Sequence, residues 1–433
     1  MRSWRTGLAL KFSRLPKIGL RREWFPIGKN DLCVPLESEP AVFPDLPMTE
    51  NDDPEWLKSL ECYQPELDKK FAMHLAESHI SYAEYSKMKR HQLGTEVMLK
   101  KRIYLDQKYW IYCRDAKCGR PQHPIHTEIW HLLQTLVNSG QFVCPVSYPV
   151  YNETFKQADS QRRMQLAETI DILSLGVALQ PFPSLIQIEL FHLLSSLSGT
   201  KLPSRNHMVW LPLGFVCGEL VPHNTVFDAK TESAIQKAMY DTLAVCKFSM
   251  MVAAFQAAGH DLSMDDSAFQ KQQTLRAELH ETEFNSFKEV FMIEIAGALD
   301  AMRAEIDDVL KQTFEQRAKQ TMFVSREDSD SGIKQLHNLL YKAYELEKLS
   351  TEFPSLHIGA GIHAAIRHQH RKYNKGDLDD HFHAKAALPY CNFFFTERIL
   401  GTLLRSKPLE FDKQYACEVL WGDEEILNRL KRL

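Results

Sequence analysis

Two short apolar runs, Ile103-Tyr104-Leu105 and FVCPV at 142–146, flank one amphipathic segment, and that order constrains the fold more than any other feature. The intervening TEIWHLLQTLVNSG puts Ile129, Leu132, Leu133, Leu136 and Val137 on one helical face, and Gly140 is a natural helix stop. Adjacent parallel strands cannot be joined by a tight hairpin, so strand, helix, strand is the signature of a parallel pair with a helical crossover. A polar helix from about Asn152, carrying Glu153, follows the second run. The expectation is an α/β fold with a parallel central sheet.

Between about 181 and 350 the pattern changes to long helices, with TESAIQKAMYDTLAVCKFSMM, FNSFKEVFMIEIAGALDAMRAEIDDVLKQTFEQ and GIKQLHNLLYKAYELEKL all showing 3.6-residue periodicity. VWLPLGFVCGELVPH at 209–223 breaks that pattern and reads as a strand or a hairpin. The α/β signal then resumes with a helix near 358–373, a helix opened by Asp377, and the strand YCNFFFT. At 433 residues the chain exceeds the usual size of one core. The reading is a basic arm, linker and helical segment over 1–99, an α/β domain split into 100–180 and 351–433, and a large helical insertion over 181–350.

The formal charge of −4 excludes a global basic footprint, so a nucleic-acid surface must be a local patch. Seven Lys or Arg and no acid occupy residues 1–22, which reads as a solvated basic arm; residues 31–55 read as a Pro-rich, acidic linker. Nine cysteines at this length fit a reducing, cytoplasmic setting. The apolar run from Met239 contains Asp241 and Lys247, which suits a buried helix better than a bilayer span, so no membrane is expected. Cys113, Cys118, His123 and His126 have the residue types of a zinc site but not its usual spacings, and free side chains are the expectation.

Functional residues of parallel sheets gather at the carboxyl ends of strands. Asp106 ends the first strand, Asp380 lies in the first turn of the helix opened by Asp377, and Glu397 follows the strand Cys391–Thr396. Glu153 is a fourth acid at that edge. Each has a bland alternative: Asp106 as a loop cap, Glu153 as a solvated residue replaceable by Asp159 or Glu168, and Glu397 as a partner of Arg398 or Arg405. Asp377 and Asp380 suit a helix start, where carboxylates are stabilised. Carboxylates converging without bases repel one another, and their natural counter-ion is a hard divalent cation such as Mg²⁺ or Mn²⁺. The crowded basic end of the helix near 358–373, with Arg367, Arg371 and Lys372, is a candidate phosphate grip, and His383, on much the same face as Asp380, is a candidate to touch a phosphate or orient a carboxylate.

The order IYLDQ, an acid on an early helix, then DxxHxxAALPYCNxFFTE resembles the PIN-domain nuclease family, particularly its bacterial PIN-like branch. The match covers roughly 100–175 and 355–405, and its last segment is the specific part. The resemblance implies a PIN-like three-layer fold and a Mg²⁺- or Mn²⁺-dependent nuclease, an endoribonuclease before a deoxyribonuclease, with toxin or defence duty by analogy. It assigns catalysis and metal binding to Asp106, Glu153, Asp380 and Glu397, with Asn392 as a further metal ligand. Two departures stand out: Glu397 where the family usually has Asp, and Asn392 where Asp is expected. Asn392 favours the alternative of a non-catalytic nucleic-acid-binding or scaffold protein, and a phosphoesterase acting on a smaller compound is a third reading. Nucleic acid is the implied partner, RNA before DNA, and the oligomeric state is left open.

Overall fold

The computed structural model describes residues 64–200, 202–218, 221–257, 286–318, 326–371 and 377–433. The basic arm, the Pro-rich linker and Lys372 lie outside the described residues. Helices α1 (Gln64–Ala76) and α2 (Tyr82–Met98) precede β1 (Lys101–Leu105). Ser81 starts α2 with a capping box, its hydroxyl accepting from Glu84 N while the Glu84 carboxylate accepts from Ser81 N. Next come α3 (Gln107–Lys117), α4 (Pro124–Asn138), β2 (Phe142–Val143), α5 (Tyr148–Phe155), α6 (Ser160–Ser174) and β3 (Val177–Leu179). As expected, Gly140 sits just past the end of α4 at φ +78°. The polar helix begins earlier than the sequence suggests, at Tyr148 rather than Asn152, because Pro149 supplies a pre-formed first turn.

The middle of the chain builds α7 (Phe182–Leu197), α8 (Arg205–Met208), β4 (Trp210–Pro212), α9 (Ala229–Leu243), α10 (Phe248–Ala257), α11 (Phe287–Ala301), α12 (Arg303–Ala318) and α13 (Arg326–Glu345). The last part adds α14 (Pro354–His368), α15 (Asp377–Ala387), β5 (Phe393–Phe395), α16 (Arg398–Arg405), α17 (Phe411–Gln414), β6 (Glu418–Leu420) and α18 (Asp423–Leu430). The fold is mixed α/β and mostly helical.

Its main sheet has the order β2-β1-β5-β6 and every pairing in it is parallel. Central β1 carries Ile103, Tyr104 and Leu105 fully buried, opposite Phe393, Phe394 and Phe395 of β5. Both faces of the sheet are covered, which is why these strands are unbroken apolar runs. A second, two-stranded antiparallel sheet pairs β3 with β4, so the ambiguous stretch after Val209 contributes one strand.

The expected insertion over 181–350 does not behave as one unit. Trp210, Leu211, Tyr240, Phe248 and Val252 belong to the same hydrophobic cluster as the main sheet. Only α7, α11, α12 and α13 form a second cluster, packed on Leu356 and Ala360 of α14. Nor does the segment before residue 99 stand apart: Asp241 of α9 receives the Tyr85 hydroxyl at 2.6 Å and lies 2.9 Å from His74 Nε2. Those contacts explain the acid within the apolar run from Met239, since a half-buried carboxylate needs polar partners. The run itself breaks into α9 and α10 with a bend of 106°, and no single helix among the described residues is long and apolar enough to cross a membrane.

Candidate functional site at the carboxyl edge of the sheet

The backbone sets the edge. At the carboxyl end of β1 the chain turns directly into α3, and Asp106 is the N-cap, its Oδ1 accepting from Tyr109 N at 3.4 Å. At the carboxyl end of β5 the same turn recurs, with Glu397 as N-cap of α16. Helix α15 runs back to the opposite edge, where Asn392 N donates to Arg102 O, so its first turn and Asp380 lie at the carboxyl edge. Helix α5, which follows β2, brings Glu153 there too.

A buried chain of hydrogen bonds ties these elements together. His383 of α15 is 2% exposed, with Nε2 2.9 Å from Glu153 Oε2 and Nδ1 2.7 Å from the Tyr104 hydroxyl, which in turn contacts Ser147 Oγ. Burial alone would pull the imidazole pKa down, but Glu153 and then Asp106 outweigh it and raise the value to about 9. The ring is therefore an imidazolium at neutral pH, and its Nδ1 proton faces the Tyr104 oxygen. Of the two roles expected for His383, its geometry fits orienting a carboxylate, that of Glu153; at 2% exposure it is too buried to grip a phosphate, which corrects the nucleic-acid role.

Acids and bases at this edge pair selectively. Glu153 takes His383, Asp379 takes Lys156 at 2.9 Å, and Asp377 takes Arg371 at 2.8 Å. Asp377 is thus already inside α15 and ion-paired. Among the described residues, Asp106, Asp380 and Glu397 have no cationic partner within ion-pair distance. Asp106 is 4% exposed; its Oδ2 is buried beside the Thr396 hydroxyl, and neither atom has any other protein partner among the described residues. Burial raises the Asp106 pKa to about 7; His383 and Thr396 pull it down, while Glu153 and Glu397 push it up. Burial likewise raises half-buried Asp380 to about 7, opposed by His383 and reinforced by Asp106 and Glu397. These mutual effects reflect how near the fold brings the acids that follow β1 and β5 to the one on α15, although nearly three hundred residues separate them in sequence.

The three carboxylates share an edge but do not form a closed ligand set, since no group of three His, Cys, Asp or Glu among the described residues stands ready to hold a metal ion. Their donor chemistry nonetheless fits a hard divalent cation: all are carboxylate oxygens, one is orphaned, and exposed Glu397 has no side-chain cap bond to hold it away.

Other expected site residues are placed elsewhere. Asn392 sits at the amino edge, its Oδ1 accepting from Arg102 N at 2.9 Å, so it stabilises the start of the β1–β5 pair and is no ligand at this site. Arg367 is paired with Glu294 of α11 and Arg371 with Asp377, so neither guanidinium is a free phosphate grip. The cysteine–histidine group does not assemble: Cys113 is buried in α3, and His126 Nε2 binds Asp423 Oδ2 at 2.9 Å. Sequence reasoning missed Ser147 and Lys156, whose only signal was position in the turn and helix beside Glu153. No protein-family model, curated protein or solved structure matches this chain.

Proposed function

We propose that the carboxyl edge is the active site of a divalent-metal-dependent nuclease on a PIN-like fold, with RNA favoured over DNA as substrate. One observation carries the reading. Every other acid on α5 and α15 at this edge has a cation, and the three left over come from β1, α15 and β5, the segments the family resemblance marks. A helix cap or a surface acid has no reason to be spared in this pattern.

In this reading Asp106, Asp380 and Glu397 would hold Mg²⁺ or Mn²⁺, which supplies an activated water and charge stabilisation at the scissile phosphate. Glu153 is withdrawn from the ligand set by His383 and acts as a positioning residue. The imidazolium fixes the Glu153 carboxylate and, through Tyr104, locks α15 against β1, so that Asp380 and Asp106 keep their mutual placement. Burial of Asp106 excludes water from one side of the edge and strengthens each charge interaction there.

The test is cleavage of end-labelled single-stranded RNA and DNA by the full chain in Mn²⁺, in Mg²⁺ and in EDTA. Cleavage of RNA with either metal and none in EDTA is expected. Asp106→Asn, which keeps the capping oxygen, is expected to lower the rate at least about a hundredfold, because loss of even an outer partner of a metal ligand costs ~10–100-fold. Metal-independent cleavage, no cleavage, or an Asp106→Asn variant as active as wild type would each overturn the reading.

A further inference from the structure

Beside the carboxylate edge, the face of α3 turned toward α4 carries an aromatic arrangement that the nuclease reading does not use. Lys108 and Tyr112 are four residues apart and so share one helical face. The Tyr112 ring lies flat on His126, with centroids 3.7 Å apart and planes at 16°. Asp423 holds His126 from behind through Nε2 at 2.9 Å, and exposed His123 stands 6.2 Å from the same imidazole. Lys108 Nζ stands over the Tyr112 ring at 5.5 Å and over Tyr109 at 5.4 Å. That is farther out than a stacked ring would lie, and a lysine stem is flexible enough to swing aside.

The arrangement adjoins the site. Asp106 caps α3, and Tyr112 is six residues along, about 9 Å of helix rise. The Tyr112 hydroxyl feels the charges of Asp423, Glu397 and Asp106 as well as that of Lys108. Tyr112 is only half-buried, so part of its side chain reaches solvent, with the Lys108 ammonium over the ring and the Tyr109 ring edge-on to it at 5.7 Å. A packing role alone explains the Tyr112–His126 contact. It does not explain why Lys108 is held over the rings while three carboxylates nearby have no cationic partner among the described residues.

We propose that Tyr112, braced by His126, is a stacking platform for one unpaired nucleobase of a single-stranded nucleic acid, with Lys108 contacting the adjoining phosphate. The proposal rests on the reading of the neighbouring edge as a phosphodiester site. Stacking on an aromatic face needs no particular base, so the subsite selects single strands over duplexes and is tolerant of sequence. Lys108 exchanges its hold on the rings for a phosphate when the strand arrives.

The experiment is fluorescence-anisotropy binding of labelled oligouridylate, oligoadenylate, oligodeoxythymidylate and an abasic oligomer of equal length to the full chain, in EDTA and again in Ca²⁺. Base-bearing strands are expected to bind more tightly than the abasic one. Tyr112→Ala is expected to weaken base-bearing strands by about 5- to 150-fold, the equivalent of ~1–3 kcal/mol for one stacked base, and to leave the abasic strand unchanged. Tyr112→Phe retains the ring and should bind as wild type. Thermal unfolding of each variant shows that it folds, and the comparison of base-bearing with abasic strands on the wild type tests the platform without any variant. Equal binding of abasic and base-bearing strands, no binding in either condition, or equal losses in Tyr112→Phe and Tyr112→Ala would overturn the proposal. Base-dependent binding without metal-dependent cleavage would instead remove the nuclease reading and leave the platform standing.

Discussion

Asp380 separates two roles that look alike in the sequence, a carboxylate favoured by a helix start and a carboxylate kept for a cation. In the structure its pKa is raised to about 7, first by burial and then by Asp106 and Glu397. Between the usual carboxyl value near 4 and about 7 the folded protein binds more protons than the unfolded chain. The Asp380 contribution to stability therefore falls as pH rises through that window and is constant above it, while His383, raised to about 9, carries a further fall at higher pH. Thermal unfolding in EDTA at pH 5.5 and 8.5 should show wild type less stable at the higher pH, and Asp380→Asn should reduce that difference. With Mn²⁺ at a hundredfold excess over the dissociation constant, wild type should gain about 2.7 kcal/mol by linkage, and the variant much less. A variant with the full wild-type pH difference and metal response would make Asp380 a helix-start residue only. Asp106 was legible beforehand as the acid that ends a buried apolar run, but the loop expected after it is helix α3 in the structure. Asn392 was misread because its strand is three residues long. Where it begins is set by pairing with Arg102, 290 positions away, and no local pattern reports that.

Among the elements, the closest approach of two backbones is also invisible to periodicity. Gly94 lies in α2 where that helix crosses α8, and a Cβ there would come within 1.9 Å of His207 O and 2.7 Å of its carbonyl carbon. Helix propensity alone predicts a gain of about 1 kcal/mol for Gly→Ala. The clash is with backbone, which cannot rotate away, so Gly94→Ala should instead lose ~1–3 kcal/mol, as overpacked sites do. Gly297 of α11 meets nothing within 4 Å, and Gly297→Ala should show the propensity gain. Urea unfolding of both variants measures the contrast, and a Gly94→Ala protein as stable as Gly297→Ala would remove the close crossing as an explanation. Strands behaved similarly. β1 and the Phe run of β5 were legible because buried parallel strands are continuous apolar runs. β6, only Glu418–Leu420, has too few residues to show a period, and its place as the fourth strand follows from pairing with β5.

For the whole molecule, the sequence signalled that the α/β pattern breaks off and returns, and the β1–β5 pairing bears out that return. It could not show how the intervening helices divide, because an amphipathic face does not name what it packs against. The division produces two hydrophobic clusters joined at α14, with one buried acid at the junction. Glu189 of α7 is fully buried; its Oε2 accepts from Ser355 N at 3.0 Å, and its Oε1 accepts from Ser355 Oγ at 2.6 Å and from the Tyr390 hydroxyl. Ser355 opens α14, where the helix dipole favours an anion, and Tyr390 leads into β5. Burial raises the Glu189 pKa, and the hydrogen bonds from Ser355 and Tyr390 oppose that rise. Glu189→Ala leaves the Ser355 amide and the Tyr390 hydroxyl buried and unpaired, at ~1–3 kcal/mol for each group. Two probes report on the consequence. Trp110, Trp130 and Trp210 lie in the sheet-bearing cluster and Trp421 packs against it, whereas no described tryptophan belongs to the second cluster. With Trp4, Trp24 and Trp56, which lie outside the described residues, replaced by Phe in both proteins, tryptophan fluorescence follows the sheet body, and far-ultraviolet circular dichroism follows the helices of both. Wild type should give coincident urea transitions by the two signals, as one cooperative unit does. In Glu189→Ala the dichroism should begin to fall at lower urea than the fluorescence, because the second cluster opens first. Curves that shift together in the variant would show that apolar packing across α14 alone couples the clusters, and that Glu189 adds stability without governing cooperativity.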